Sequence, residues 1–143
     1  MSVVRLSQKF EFSAAHRLHN PELSDEQNVQ TFGKCNNPAG HGHNYELHVT
    51  LAGPAGTDGI VYDIGAFERQ VESSVIQKLD HKHLNEQVPE FRHTIPSVEN
   101  IARVIHGWLR PVFGQKLAGV TVWETGKTWC EYTEDTAKRG SEP

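Results

Sequence analysis

The chain has 143 residues, enough for one ordinary domain with its own core, and 36% of them are hydrophobic. Its 14 basic and 18 acidic residues give a formal net charge of −4, and no run of Lys or Arg forms the stripe that an electrostatic nucleic-acid binder needs. No apolar stretch approaches the roughly 18 residues of a transmembrane helix, Met1 to Arg5 lacks a signal-peptide core, and Cys35 and Cys130 do not make a disulfide framework, so the expectation is a cytoplasmic protein with reduced thiols.

Residues 3–16 read as a strand, with Phe10, Phe12, Ala14 and His16 on one face by period two. Residues 17–40 are polar and turn-rich and read as a long loop. Residues 41–52 read as a second strand whose His41, His43, Tyr45, Leu47, Val49 and Leu51 share a face. Ile60 to Tyr62 suggests a short strand. Asp63 is a good N-cap for a helix over 64–79, with Ile64, Phe67, Val71, Val75 and Leu79 as its buried stripe. Residues 80–96 look irregular. Ser97 caps a second helix over 98–110, with Val98, Ile101, Ala102, Ile105 and Leu109 inward and Pro111 ending it. Residues 120–124 and 128–132 read as a closing hairpin, followed by a polar tail over 133–143. Two long strands, a helix pair and a hairpin make an α+β domain over 1–132, with helices on one face of an antiparallel sheet.

Nine histidines are the compositional excess to explain. His41 and His43 share a strand face, and His16 ends the apolar face of the first strand. If the two strands pair antiparallel, all three imidazoles meet at one sheet edge. Three neutral imidazoles without a fourth ligand describe an open catalytic zinc site. Imidazole also suits iron, nickel and copper, and ordinary hydrogen-bonded histidines are the plain alternative. Cys35, six residues before His41, reads as a fourth ligand closing a structural site, as a base or nucleophile beside the metal, or as a small buried hydrophobe. Asp80 beside His81 can tune an acid–base imidazole or simply cap a helix end. His81 and His83 compete as a metal pair without a third partner. Glu124 ends an apolar strand face and can accept two N–H bonds from a planar, amidine-like ligand edge such as a pterin or purine. Ser97 and Glu99 sit in the first turn of the second helix, where capping alone accounts for them. Cys130 reads as packing, and His19, His48, His93 and His106 have no assigned role.

Phe12-Ser13-Ala14-Ala15-His16-Arg17-Leu18 and the segment from Phe32 to Tyr45 (FGKCNNPAGHGHNY) resemble the two metal motifs of the 6-pyruvoyl tetrahydropterin synthase family. Leu79-Asp80-His81, Ser97-Val98-Glu99-Asn100 and Glu124-Thr125 follow in the family's order, and the similarity runs over about residues 8–132. The resemblance implies the tunnelling fold, a four-stranded antiparallel sheet with two helices on one face. It also implies trimers that close their sheets into a barrel and pair into a homohexamer, with sites between subunits. His16, His41 and His43 would bind Zn2+, and Cys35 would be the proton-abstracting base. Asp80 and His81 would come from a neighbouring subunit, and Glu124, Glu99 and Ser97 would hold the pterin.

The implied reaction converts 7,8-dihydroneopterin triphosphate to 6-pyruvoyl-5,6,7,8-tetrahydropterin with loss of triphosphate, on the way to tetrahydrobiopterin. The ring is reduced at the expense of the side chain, so no external redox cofactor is needed. A second branch releases acetaldehyde and triphosphate to give 6-carboxytetrahydropterin for deazapurine (queuosine) synthesis. The loop between His16 and Cys35 resembles the first branch, and Pro96-Ser97 leans toward the second. A non-catalytic zinc-containing pterin-binding protein and a zinc-stabilised structural domain are the alternatives from other classes. Arg17, Lys34 and Lys82 adjoin motif residues and are candidates for contacting the triphosphate.

Overall fold

A computed structural model describes residues 2–134. The two period-two segments form strands β1 (Val4–His16) and β2 (His41–Gly53), paired antiparallel without interruption from Val4↔Gly53 to His16↔His41. Alternation puts Phe10, Phe12 and Ala14 of β1 on the same buried face as Tyr45, Leu47, Val49 and Leu51 of β2. Phe12 stacks on Tyr45 with ring centroids 4.8 Å apart. Since the register is complete, the two ends that carry histidines are forced together.

The segment between these strands is more ordered than its composition suggests. Helix α1 (Asp25–Phe32) starts at a capping box in which Ser24 accepts from Gln27 N and the Gln27 side chain accepts from Ser24 N. A 3-10 turn (Gly33–Asn36) follows, entered through Gly33 at φ 55°. The Ser-x-x-Gln signature stood in the sequence, but the helix lacks an apolar stripe, and among its residues only Asn28 is buried.

Ile60 to Tyr62 is a bend rather than a strand. Asp63 caps α2 (Ile64–Val71) as expected, through a 2.8 Å bond from Ala66 N. The helix continues through a π-helical turn (Glu72–Ile76) into α3 (Gln77–Leu79). Phe67, Val71, Val75 and Leu79 are buried, and the wider π turn brings Ile76 to the core as well. Ile64, expected in the stripe, is exposed at the first position of α2.

The stretch after α3 contains β3 (Lys82–His83), α4 (Leu84–Gln87) and a 3-10 turn (Pro89–Phe91). β3 runs parallel to β1 through Ala14↔Lys82 and Ala15↔His83. The sheet therefore has five strands, not four, in the order β3-β1-β2-β4-β5. A two-residue strand has no periodicity to read, so its pairing is a tertiary event.

Ser97 caps α5 (Val98–Phe113) by accepting from Asn100 N at 3.2 Å. Val98, Ile101, Ala102, Ile105 and Leu109 face the sheet as expected. Pro111 does not end this helix, which runs on to Phe113 and closes at Gly114 with φ 58°. Lying in the last turn, the proline forfeits one backbone bond near an end that frays in any case. Strands β4 (Leu117–Trp123) and β5 (Trp129–Tyr132) complete the sheet antiparallel to their neighbours. β4 begins earlier than the sequence suggested, with an irregularity in its pairing at Thr50/Leu51.

The architecture is α+β, with α2, α3 and α5 on one face of the sheet and the other face open. The expected polar tail lies outside the described residues from position 135 on; before it, Arg110 Nε donates to Glu134 Oε1 at 2.7 Å. Among the described residues no helix is long and apolar enough to cross a membrane.

Candidate functional site

The His16↔His41 register is the origin of the site. Period two turns His16, His41 and His43 onto the core face at the end of the β1–β2 ladder. His41 Nε2 lies 3.1 Å from His16 Nε2 and 3.2 Å from His43 Nε2. Hydrogen bonding alone does not account for both contacts, because a single His41 Nε2 proton serves one neighbour at a time. The His16 ring proton is committed elsewhere: Nδ1 donates to Pro96 O at 2.9 Å, leaving Nε2 as a lone pair. Burial lowers the His16 pKa to about 4, so this fully buried ring is neutral at physiological pH.

The donor set fits a small cation. With metal–nitrogen distances of about 2.0–2.1 Å and tetrahedral angles, neighbouring ligand nitrogens sit roughly 3.3 Å apart, close to the two separations observed. Among the described residues the metal-competent cluster is His16, Cys35, His41 and His43, whose donor atoms all lie within 4.8 Å of one another. This spacing serves a ligating thiol and a thiol working beside the ion equally well. The competing pair of His81 and His83 joins no such cluster.

Cys35 reaches the trio because its turn is tied to the end of β1. Leu18 N donates to Cys35 O at 2.8 Å, and Arg17 Nε donates to Asn36 O at 3.1 Å. The buried Asn36 amide donates to Leu18 O and to His19 Nδ1. Asn85, from α4, clamps the backbone of Arg17 by accepting from its N–H and donating to its carbonyl. Burial, and then the nearby Glu124 carboxylate, push the Cys35 thiol above its ordinary range. Without a cation beside it, the thiol holds its proton at neutral pH.

Glu124 follows the last residue of β4, and its Oε1 lies 3.9 Å from His43 Nε2. Its side chain is mostly shielded, unlike a strand-end charge turned to solvent. Ser97 spends its hydroxyl on capping α5, directly after the Pro96 carbonyl that orients His16. Glu99 is exposed in the first turn of α5, close enough to β5 to raise the Cys130 thiol after burial has done so.

Asp80 and His81 are built differently. Asp80 Oδ1 accepts from Ser13 N at 2.8 Å, and Asp80 Oδ2 lies 3.0 Å from His81 Nδ1. The Ser13 bond holds the Asp80 carboxyl below its usual range. His81 adopts φ 60°, rare for a residue with a Cβ, and donates its backbone N–H to Ser13 O. Its ring is 81% exposed and outside the histidine–cysteine cluster.

Some of the architecture had no signal in the sequence. Pro96 acts through a backbone carbonyl, and Tyr45, whose buried phenol is pushed well above its usual range, contacts His16 Nδ1 at 3.3 Å. Two further histidines take ordinary roles: His48 Nε2 lies 2.9 Å from Glu46, and the His106 ring packs on Tyr132.

Residues 5–135 match the family model described as 6-pyruvoyl tetrahydropterin synthase. The human 6-pyruvoyl tetrahydrobiopterin synthase is 42% identical over 132 residues, covering 90% of each chain. The solved Caenorhabditis elegans 6-pyruvoyl tetrahydropterin synthase superposes with a TM-score of 0.88 at 39% identity, covering 94% of this chain and 98% of that one. A 6-carboxy-5,6,7,8-tetrahydropterin synthase from Haemophilus influenzae is 26% identical over 151 residues, covering 91% of this chain and 99% of that protein.

Proposed function

Because the chain belongs to the 6-pyruvoyl tetrahydropterin synthase family, we propose that it is a zinc-dependent lyase. It converts 7,8-dihydroneopterin triphosphate to 6-pyruvoyl-5,6,7,8-tetrahydropterin, eliminates triphosphate, and acts in the cytoplasm through one catalytic domain over 1–132. The observation that carries the reading is the convergence of His16, His41 and His43 with Cys35 at the end of the β1–β2 ladder, Glu124 at its rim.

His16, His41 and His43 would hold the zinc. Bound there, the ion supplies Lewis acidity toward the side-chain hydroxyls and lowers the pKa of adjacent acidic groups. Glu124 accepts hydrogen bonds from the amidine-like edge of the pterin and orients it, with Ser97 and Glu99 at the same end of α5. Cys35 Sγ takes the proton from the substrate side chain. For that it must be a thiolate, which its burial and the Glu124 charge oppose and a neighbouring cation favours.

His81 carries the second proton transfer. Asp80 stays ionised against Ser13 N–H and orients the His81 ring through Nδ1, so Nε2 is the atom that exchanges protons. Its exposure, and its absence from the cluster around Cys35, support a site shared between subunits of a homohexamer.

The higher identity to the pyruvoyl relative than to the carboxy relative supports the pyruvoyl product. Incubation with 7,8-dihydroneopterin triphosphate, followed by product mass and an acetaldehyde assay, tests this. A pyruvoyl product without acetaldehyde is expected. Stoichiometric acetaldehyde would move the chain to the carboxy branch, and no turnover by the zinc-loaded protein would leave a pterin binder.

A further inference from the structure

The cations beside the motif residues are not equivalent. Arg17 and Lys34 line one cavity of about 410 Å³, between α1 and the turn that carries Cys35. Lys82 lines a different cavity, with His81 and His83. Arg17 is pre-set for a ligand: Asn85 clamps its backbone on both sides, and Asn36 O accepts from its Nε. Its two terminal nitrogens make no hydrogen bond or ion pair among the described residues, and neither does the Lys34 ammonium. Asp25 also lines the cavity but pairs with neither cation among the described residues. Two cations facing one carboxylate leave a net positive pocket on a chain of net charge −4.

Arg17 follows His16 and Lys34 precedes Cys35 in the chain, so the cavity's two cations are each one residue from the candidate metal centre, although none of His16, Cys35, His41 and His43 lines the cavity itself. A held guanidinium with its outer nitrogens free suits two oxygens of one phosphoryl group, and a flexible ammonium suits a second group along a chain. We propose that the cavity between Arg17 and Lys34 binds the phosphoryl tail of an oligophosphate ligand, leaving Lys82 outside this subsite. The proposal deepens the reading above and rests on it for the identity of the ligand.

The test measures calorimetric binding of inorganic tripolyphosphate to the zinc-loaded protein, which requires no turnover. Lys34→Gln and Arg17→Gln are each expected to weaken binding about 10-fold or more, as for a lost charge-assisted bond. Arg17→Lys, which keeps the charge without the fork, should fall between Arg17→Gln and the wild type. Lys82→Gln should bind like the wild type. In the Lys34 variant, affinity for the triphosphate pterin should drop while affinity for dephosphorylated 7,8-dihydroneopterin is unchanged. Tripolyphosphate that fails to bind the wild type, or binds both glutamine variants at wild-type affinity, overturns the proposal. An equal loss in Lys82→Gln overturns its assignment to this cavity. If tripolyphosphate binds as expected while the product assay shows no turnover, the site stands and the catalytic reading falls.

Discussion

The ring proton of His16 is committed to Pro96 O and its Nε2 to a shared point with His41, so the roles of His16 and Cys35 at this centre can be separated by mutation. Cys35→Ala removes the proposed base but none of the three imidazoles. The zinc content of the purified variant should stay at the wild-type level, with turnover falling about 10²–10⁴-fold, the range for loss of an acid–base group. Loss of zinc together with loss of folding would instead mark Cys35 as a ligand of a structural site. Asp80 carries a separable consequence for stability. Its folded-state pKa is depressed, first by the Ser13 N–H. Its contribution is therefore complete above the unfolded carboxylate pKa and disappears as pH falls through the lower folded value. Asp80→Asn should flatten the acid limb of a stability–pH profile measured by denaturant unfolding. A limb as steep as in the wild type would remove Asp80 from its causes.

At the scale of elements, the join between the Cys35 turn and β2 is the tightest point beside the site. Gly40 sits at φ 75°, where a Cβ would lie 2.9 Å from His83 Nε2 and 3.1 Å from His16 O. Left-handed backbone alone costs a residue with a Cβ about 1–2 kcal/mol, and the contacts add to it. Gly40→Ala should therefore destabilise by at least that amount in chemical unfolding. His83→Ala in the same chain should recover part of the loss, because it removes the nearest obstructing atom but not the backbone strain. No recovery in this double-mutant cycle would locate the whole cost in the backbone. The long elements, β1, β2 and α5, were legible because their periodicity extends over 13, 13 and 16 residues. Helix α1 and strand β3 were not, since neither has an apolar stripe to announce it.

For the whole molecule, the separation of the Asp80–His81 dyad from the Cys35 cluster makes shared sites testable. Cys35→Ala and His81→Ala are each expected to be inactive alone. Co-refolded together, they should form mixed oligomers in which some sites combine an intact Cys35 with an intact His81. Activity should reappear in the mixture, and light scattering should report a hexamer. Mixed oligomers that stay inactive would place both groups in one subunit's site. Trp129 is exposed at the edge strand and stacks on Trp123 at 4.2 Å, so the open sheet face carries aromatic surface.

By itself the sequence determined the α+β class, the inward face of the two long strands and of α5, and the placement of His16, His41 and His43 on that face at the strand ends. All of these follow from local periodicity, which a chain expresses wherever it folds. Only the tertiary structure decided that β1 and β2 pair antiparallel in the register that brings those histidines together, which groups serve them, and which cations line a common space. Pro96 O, the Asn85 clamp and the Asn36 amide reach the site from 80, 68 and 18 residues away in the chain, respectively. A backbone carbonyl or a lone amide has no sequence pattern, and only close packing assigns it a partner. The same reasoning separates Lys34 from Lys82: both adjoin motif residues in the chain, and packing puts them in different cavities.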